Sequence, residues 1–380
     1  MAYIVYWCSL SILVYTFFGF FVLLFMVSLV KRKPVLKKDI EPTVSIIICA
    51  YNEEKSIVQK IENCLALDYP HDKIEIIVVS DGSTDGTDAI VQNYRNPLVH
   101  GIGMPERLGK SHCQNAAAAI AKHEVLFFTD ATAMHSPQAL RILLRSLADP
   151  TVGCVSGRPL FRKSNSMTSR GLEKRERYEL LLRRSLNECL SLFGAQDCMY
   201  AIPRRIFIPT RPDLDSGFVG PLQLLAKGYR TVYEFDAIAS IERRPPTGED
   251  EVARRSRIVL RGLRGLIFMK RLLNPFAYGF TAVALLSSRL LRWISPLFLA
   301  ALFVSNIALL GMHPWYQLSF LLQALFYLTA GAAFVCEKKG LRPQSALSIP
   351  YFFCVLMWSA VLGMKKLLCL ETGQVWETRR

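Results

Sequence analysis

The stretch TVSIIICAYNEE, residues 43–54, decides the fold that we expect for this chain of 380 residues. It begins with a run of β-branched and apolar side chains, which is typical of a strand buried on both faces. The chain then turns polar and continues as EEKSIVQKIENCLAL, in which Ile57, Ile61, Cys64 and Leu65 fall on one helical stripe. A buried strand that leads into an amphipathic helix is the repeating unit of parallel α/β sheets.

The same unit recurs twice along the chain. The segments IEIIVVS (residues 74–80) and EVLFFTD (residues 124–130) read as further buried strands. A helix with polar capping residues follows the first of them, and another helix is predicted over residues 111–122. This alternation predicts a doubly wound parallel sheet, in which ligands bind beyond the carboxyl ends of the strands.

Polar groups follow three of the predicted strands, in AYNEE (residues 50–54), SDGSTD (residues 80–85) and TDAT (residues 129–132). Taken singly, each has a local alternative as a helix cap or a turn. Because all three stand at the ends of successive strands, we expect them to meet in one crevice.

The sequence GKS at residues 109–111 resembles the end of a phosphate-binding P-loop. That loop has four residues between its glycines, whereas five lie between Gly103 and Gly109. We therefore do not expect an ATPase. Lys110 stays a candidate point charge for a phosphate.

Several segments are apolar enough for a membrane. Residues 4–30 would form a helix of roughly 40 Å, longer than the hydrocarbon core, and lack the basic start of a signal peptide. Two further spans are predicted at residues 293–310 and 315–335. Residues 347–362 either cross the membrane or lie in its interface, which the sequence leaves open.

Residues 276–286 are too short to span, and Arg289 and Arg292 follow them, so an amphipathic surface helix is expected there. The basic segment KRKPVLKK, residues 31–38, places the following domain on the cytoplasmic side. The net charge of +15 fits this topology, anionic lipid or an anionic substrate, whereas the pattern of basic residues argues against nucleic acid. The ten cysteines show no metal-binding spacing.

Several blocks in order resemble membrane-bound, processive family 2 glycosyltransferases such as the cellulose, hyaluronan and poly-N-acetylglucosamine synthases. These blocks are VSIIICAYNEE, VVSDGSTDGT, RLGKSHCQNAAAAIAKHEVLFFTDA, GAQDCMYAIPRRIF and GFVGPLQLLAKGYRTVYEFDAIASIE. The resemblance implies a cytoplasmic nucleotide-sugar-binding α/β domain of the GT-A type together with transmembrane and interfacial helices.

The expected organisation has five parts in chain order. They are a transmembrane helix at 1–30, the glycosyltransferase domain at 31–250, amphipathic interfacial helices at 251–292, a transmembrane region at 293–370 and a tail at 371–380.

By the same resemblance, Tyr51, Asn52, Glu53 and Asp81 line the nucleoside pocket and Lys110 lies near the nucleotide. The first acid of the family's D-x-D motif falls on Asp130, which would hold a divalent cation, Mg²⁺ or Mn²⁺, against the diphosphate. Thr132 stands where the second acid is expected. It offers a hydroxyl but no charge, so weaker metal affinity is expected.

The family's catalytic base is expected at position 217, which is a glycine here. Asp215 serves as the base if this loop is spaced differently, and a turn role for Asp-Ser-Gly is the alternative. The family's Q-x-x-R-W motif is also altered, with Arg254 and Arg257 at the Gln and Arg positions. On a helix these two arginines share a face, which we expect to meet the nucleotide.

The resemblance implies an inverting hexosyl- or N-acetylhexosaminyltransferase that moves a sugar from a nucleotide-diphosphate sugar, most often a UDP-sugar, to a growing polysaccharide. It would be a multi-pass protein of a bacterial inner or plasma membrane, with export or assembly subunits as further partners. Two alternatives stay open. One is transfer to a lipid acceptor, either polyprenyl phosphate or a glycolipid. The other is a non-catalytic nucleotide-binding subunit of an export complex.

Overall fold

The computed structural model describes residues 1–161, 167–241, 248–339 and 347–369. In that part of the chain, eight strands form one sheet. The strands are β1 (Val44–Ala50), β2 (Ile74–Ser80), β3 (Val99–Gly103), β4 (Val125–Asp130), β5 (Ala133–His135), β6 (Val152–Phe161), β7 (Tyr200–Pro203) and β8 (Arg230–Ile241).

Helices flank the sheet and form a second, largely apolar part of the structure. They are α1 (Ala2–Val14), α2 (Phe20–Val30), α3 (Ile57–Leu65), α4 (Thr87–Asn93), α5 (Lys110–Ile120), α6 (Ala139–Leu144), α7 (Met167–Cys189), α8 (Ser216–Ala226), α9 (Gly248–Phe268), α10 (Pro275–Tyr278), α11 (Phe280–Leu285), α12 (Leu291–Leu309), α13 (Pro314–Lys338) and α14 (Ser348–Leu368). Short π-helical segments, Tyr15–Gly19 and Leu286–Leu290, join α1 to α2 and α11 to α12.

The strand order is β3-β2-β1-β4-β7-β6-β8-β5. Strands β1 to β4 pair in parallel, as the alternation of strands and helices predicts. The other half of the sheet is mixed, because β7 runs antiparallel to β4 and β6 while β5 runs antiparallel to β8. Strands β5 and β7 have three and four residues, too short for a periodic sequence signal. The α/β fold is confirmed, and the sheet is mixed rather than wholly parallel.

The core lies on both faces of the sheet. Every residue of β1 and β2 is buried, as their β-branched runs predict. In β1, Ile46 and Ile48 face one apolar layer, and Ile47 and Cys49 face the other. This rigid, doubly covered half of the sheet holds the loops at its carboxyl edge in place.

Four helical stretches are long and apolar enough to cross a membrane: Ala2–Val30, Phe280–Leu309, Pro314–Lys338 and Ser348–Leu368. The second is continuous through α11, the π-helical turn and α12, so the expected domain boundary at residues 292/293 falls inside a helix. The last stretch, which the sequence left open, also has the length and composition of a span. The tail at 371–380 lies outside the described residues.

Helix α9 includes the basic amphipathic segment predicted from the sequence, and it packs closely on α14. Val259 and Leu263 of α9 form an apolar cluster with Ala360 of α14. At Gly363 the two helices approach so closely that a Cβ atom there would lie 2.7 Å from Cβ of Val259. Helix α9 and the candidate span α14 are therefore joined at a contact that only glycine permits without a shift.

We expect Gly363→Ala to lower the free energy of unfolding by about 1–3 kcal/mol, because the added methyl group overpacks the contact between α9 and α14. Gly331→Ala is the matched control, because a Cβ at this glycine of α13 meets no atom within 4 Å. Thermal unfolding in detergent measures both. Equal midpoints for the two variants would contradict the packing described here.

Candidate active site

The loops that follow β1 and β2 are tied together by side chains. Asn52 has a positive φ of 54°, and its Oδ1 accepts a hydrogen bond of 2.8 Å from the backbone N–H of Thr84. The backbone N–H of Glu53 donates to Oγ1 of Thr87 at 2.8 Å. Asn52 therefore bridges two strand-end loops rather than capping α3. The carboxylate of Glu53 is buried and accepts a hydrogen bond from the hydroxyl of Ser56 at the start of α3.

Asp81 fixes the loop that precedes Lys110. Its buried carboxylate accepts hydrogen bonds from the backbone N–H of Leu108 at 2.8 Å and of Gly109 at 3.0 Å. Gly82, next to it, has a φ of 62°, and a Cβ there would lie 2.5 Å from the carbonyl carbon of Glu106. The two loops therefore touch backbone to backbone, which requires glycine.

Tyr51 lies at the edge of the same group of loops. The guanidinium carbon of Arg107 stands 3.8 Å from the centroid of its ring, a cation–π contact. An aromatic ring beside a guanidinium group offers a flat surface of the kind on which a nucleobase stacks.

Lys110, the first residue of α5, connects two carboxylates. Its Nζ lies 2.5 Å from Oδ1 of Asp130, at the end of β4, and 3.5 Å from Oδ1 of Asp197. Burial alone would lower the pKa of Lys110, but these carboxylates raise it well above the ordinary value. The lysine is therefore a fixed positive charge at the carboxyl edge of the sheet.

Asp197 lies in the loop between α7 and β7. Its Oδ1 is buried and, apart from the long ion pair with Lys110, has no hydrogen-bond donor among the described residues. The side chain as a whole is 43% exposed, so its other oxygen faces the crevice. Burial raises the pKa of Asp197, the nearby carboxylates of Asp215 and Asp130 raise it further, and Lys110 opposes them.

Asp215, the predicted base, is the N-cap of α8. Its Oδ1 accepts a hydrogen bond of 3.1 Å from the backbone N–H of Phe218. Gly217, at the position where the family's base is expected, is buried in the first turn of α8. Its carbonyl accepts a hydrogen bond of 2.7 Å from the backbone N–H of Ala195. The catalytic role of Asp215 stays a prediction.

Arg254 and Arg257 lie on α9. The guanidinium of Arg254 makes two hydrogen bonds, of 2.8 and 3.0 Å, to the carboxylate of Glu251. Burial would raise the pKa of Glu251, but Arg255 and Arg254 lower it to about 2. One face of Arg254 is thus engaged within its own helix. Contact of Arg254 and Arg257 with a nucleotide stays a prediction.

The residues at the edge of the sheet fit one hard cation. Asp130 supplies a partly exposed carboxylate that already holds a positive charge, the Lys110 ammonium, and Thr132 lies half-buried two residues later. Among the described residues there is no group of three or more His, Cys, Asp or Glu side chains placed to hold a metal. A cation on Asp130 would therefore take most of its ligands from phosphate and water, as Mg²⁺ and Mn²⁺ commonly do.

Two functional candidates were missed in the sequence. Asp197 is the one acidic residue in the otherwise apolar and small-residue segment SLFGAQDCMYAI, and its isolation was the available signal. Lys60 is fully buried on α3, and its Nζ donates to the carbonyl of Ala133 just after the Asp130 turn. The available sequence signal for Lys60 was its position three residues after Ile57, which places it on the apolar stripe of α3.

Comparisons with known proteins agree with this geometry. Residues 45–208 match the sequence profile of glycosyl transferase family 2. The chain is 27% identical over 139 residues to poly-beta-1,6-N-acetyl-D-glucosamine synthase of Staphylococcus aureus, covering 36% of this chain and 33% of that protein. The enzyme of the same name from Staphylococcus epidermidis is 26% identical over 126 residues, covering 33% and 30%. The alignments thus span about a third of the curated relatives.

One solved structure matches almost the whole chain. It is a mannosyltransferase from Pyrobaculum calidifontis in complex with GDP-Man and Mn²⁺, with a TM-score of 0.72 and 22% identity, covering 97% of this chain and 99% of that one. This likeness shows a shared fold that includes the helices outside the sheet. The profile match assigns residues 45–208, which include β1 to β7, to a glycosyl transferase family 2 domain, and the shared fold is GT-A-like.

Proposed function

We propose that the chain is an inverting glycosyltransferase that moves a sugar from a nucleotide-diphosphate sugar to an acceptor at the membrane. The observation that carries this proposal is the pair formed by Asp130 and Lys110 at the carboxyl edge of the sheet, 2.5 Å apart. A carboxylate for a cation and a fixed ammonium for a phosphate are the two charges that a leaving diphosphate needs.

The donor that we propose is a UDP-sugar, with a hexose or an N-acetylhexosamine. The similarity to the poly-beta-1,6-N-acetyl-D-glucosamine synthases supports this choice. The mannosyltransferase of related fold holds GDP-Man and Mn²⁺, which supports the broader class of nucleotide-diphosphate sugars and a divalent cation. The loop residues Tyr51, Asn52, Glu53 and Asp81 are proposed to surround the nucleoside.

In the proposed reaction an acceptor oxygen attacks the anomeric carbon from the face opposite the diphosphate, so that the configuration inverts. A cation on Asp130, Mg²⁺ or Mn²⁺, would neutralise the departing diphosphate. Lys110 supplies a second positive charge from its fixed place at the start of α5, where the helix N-terminus also favours an anion.

The leading acceptor is a growing polysaccharide, in line with the curated relatives. The proposal places the catalytic domain on the cytoplasmic face of a bacterial inner or plasma membrane, because KRKPVLKK directly follows the first candidate span. Export or assembly subunits belong to the same proposal.

The test is a panel of UDP- and GDP-sugars, with Mg²⁺ or Mn²⁺ and membrane extract, scored for release of nucleoside diphosphate. We expect Asp130→Asn to reduce turnover by at least about 10²-fold, because it removes the carboxylate that holds the cation. Asp213→Asn is the matched control, since this exposed aspartate pairs with Arg211 rather than with Lys110. Protein that binds UDP but releases none from any donor would contradict the proposal and favour a non-catalytic subunit.

A second candidate, transfer to a lipid acceptor, is favoured by a specific cavity between the catalytic domain and the span Phe280–Leu309. Its polar lining includes Glu179 and Arg183 of α7, Arg289 of the π-helical turn and the segment 194–196. The same segment leads directly into Asp197. A charged side chain such as Arg289 in a predicted membrane span is energetically costly and usually marks a functional site. π-Helical turns are also frequent at functional sites.

The cavity belongs to a strongly positive group of side chains. Two glutamates, Glu179 and Glu251, are surrounded by six arginines, which are Arg175, Arg183, Arg254, Arg255, Arg289 and Arg292. Among the described residues, Arg183 and Arg289 make no salt bridge; they contact the rings of Tyr233 and Phe218 instead. Partly buried guanidinium groups that outnumber the nearby carboxylate of Glu179 suit the phosphate of a lipid-linked acceptor.

Arg289→Gln separates the two acceptors. If the acceptor is a lipid phosphate or a lipid-linked glycan, the product is expected to extract into organic solvent. The Arg289→Gln variant is then expected to transfer sugar to this acceptor about 10-fold more slowly or worse, because a charge-assisted bond to phosphate is lost. Hydrolysis of the donor should stay within about twofold. Arg211→Gln, at an exposed surface ion pair, is the matched control. If Arg289→Gln and Arg211→Gln make equal amounts of a water-soluble polymer with a ladder of sizes, the proposal of a lipid acceptor is contradicted.

A further inference from the structure

The carboxylate of Asp197 stands where a side chain at position 217 would point. A Cβ atom built on Gly217 would lie 2.3 Å from Oδ1 of Asp197, and 3.4 Å from Oδ1 of Asp215. An acidic side chain at 217 and the present position of Asp197 exclude each other. We propose that Asp197 is the catalytic base, and this proposal rests on the proposed transferase function. Asp197 comes from a different loop and occupies the space that is open because residue 217 is glycine.

The backbone holds the two positions in register. The N–H of Ala195 donates to the carbonyl of Gly217 at 2.7 Å, so the loop that carries Asp197 is tied to the first turn of α8. The N–H of Gln196 donates to Oγ of Ser156 at 2.7 Å, which fixes the same loop to β6. The two residues directly before Asp197 are thus anchored, one to α8 and the other to β6.

Helix α5 fixes α8 relative to the charged pair. Oγ of Ser111, next to Lys110, donates to the carbonyl of Leu214 at 2.7 Å. The hydroxyl of Ser216 donates to Oε1 of Gln114 at 2.5 Å. Lys110, Asp197 and the start of α8 are therefore parts of one connected unit, and a base on this unit lies beside the proposed diphosphate site.

Asp215 has a different task in this arrangement. Its Oδ1 accepts the N–H of Phe218 and thereby satisfies one of the free N–H groups at the start of α8. This cap gives Asp215 a structural role in α8. Asp197 has a buried oxygen that faces Lys110 and a second, exposed oxygen, so it meets the acceptor without giving up its anchor.

In the proposed step, Asp197 takes up the proton that the acceptor loses. The acceptor oxygen forms a bond to the anomeric carbon while the bond from that carbon to the diphosphate oxygen breaks. The electron pair of the broken bond leaves with the diphosphate. The proton of the acceptor hydroxyl passes to the exposed oxygen of Asp197, which returns it to water after the product leaves.

Isosteric amide variants distinguish the two aspartates. Asp197→Asn is expected to lower kcat by about 10²- to 10⁴-fold, the usual contribution of a general base, with nucleotide affinity within about threefold. Asp215→Asn is expected to cost less than about tenfold, because asparagine caps a helix as well as aspartate does. Asp213→Asn controls for loss of a surface charge. Near-normal kcat in Asp197→Asn, or a larger loss in Asp215→Asn, would overturn the assignment.

Exchange of the carboxylate between the two positions is the sharper test. Gly217→Asp alone should lower activity, since its side chain collides with Asp197, whereas Gly220→Asp, at a helical glycine with no atom within 4 Å, controls for an added acid on α8. The double variant Asp197→Ser with Gly217→Asp should recover at least about tenfold over Asp197→Ser. No recovery in a folded, nucleotide-binding double variant would overturn the inference. Wild-type protein inactive with every donor would instead contradict the proposed function itself.

Discussion

The ion pairs of Lys110 are the interaction on which the rest of this site depends. One ammonium group joins Asp130, at the end of a central strand, to Asp197, in the loop that follows α7. Without it, two carboxylates would stand together at the edge of the sheet and repel each other. The lysine therefore determines both where the negative charges lie and how closely the two loops approach.

The sheet holds this arrangement in place. Strands β1, β2 and β4 are parallel neighbours, so their carboxyl ends open on one edge, and each end carries a loop with polar side chains. The carboxylate of Asp81 accepts hydrogen bonds from the backbone of the loop before Lys110, and the side chain of Asn52 accepts one from the backbone of the loop after β2. Several residues that resemble ligand-binding groups in the sequence thus also build the loops, and the two roles are compatible.

The buried strands and their polar ends were predictable because β-branched runs and turn residues act locally. The mixed half of the sheet was not, since β5 and β7 owe their pairing to neighbours distant in the chain rather than to their own sequence. Asp197 shows the same limit at the level of the site. Its proposed role as the base depends on the absence of a side chain at Gly217, twenty residues later in the chain. No local sequence pattern reveals that the two positions are in contact.

The most direct measurement is the position of Mn²⁺, found by its anomalous scattering, in crystals of the protein with a nucleotide-diphosphate sugar. The account predicts manganese on the carboxylate of Asp130 with the diphosphate beside Lys110, and the anomeric carbon facing the exposed oxygen of Asp197. Manganese or diphosphate bound at another edge of the sheet, with Asp130 still closed on Lys110, would contradict it.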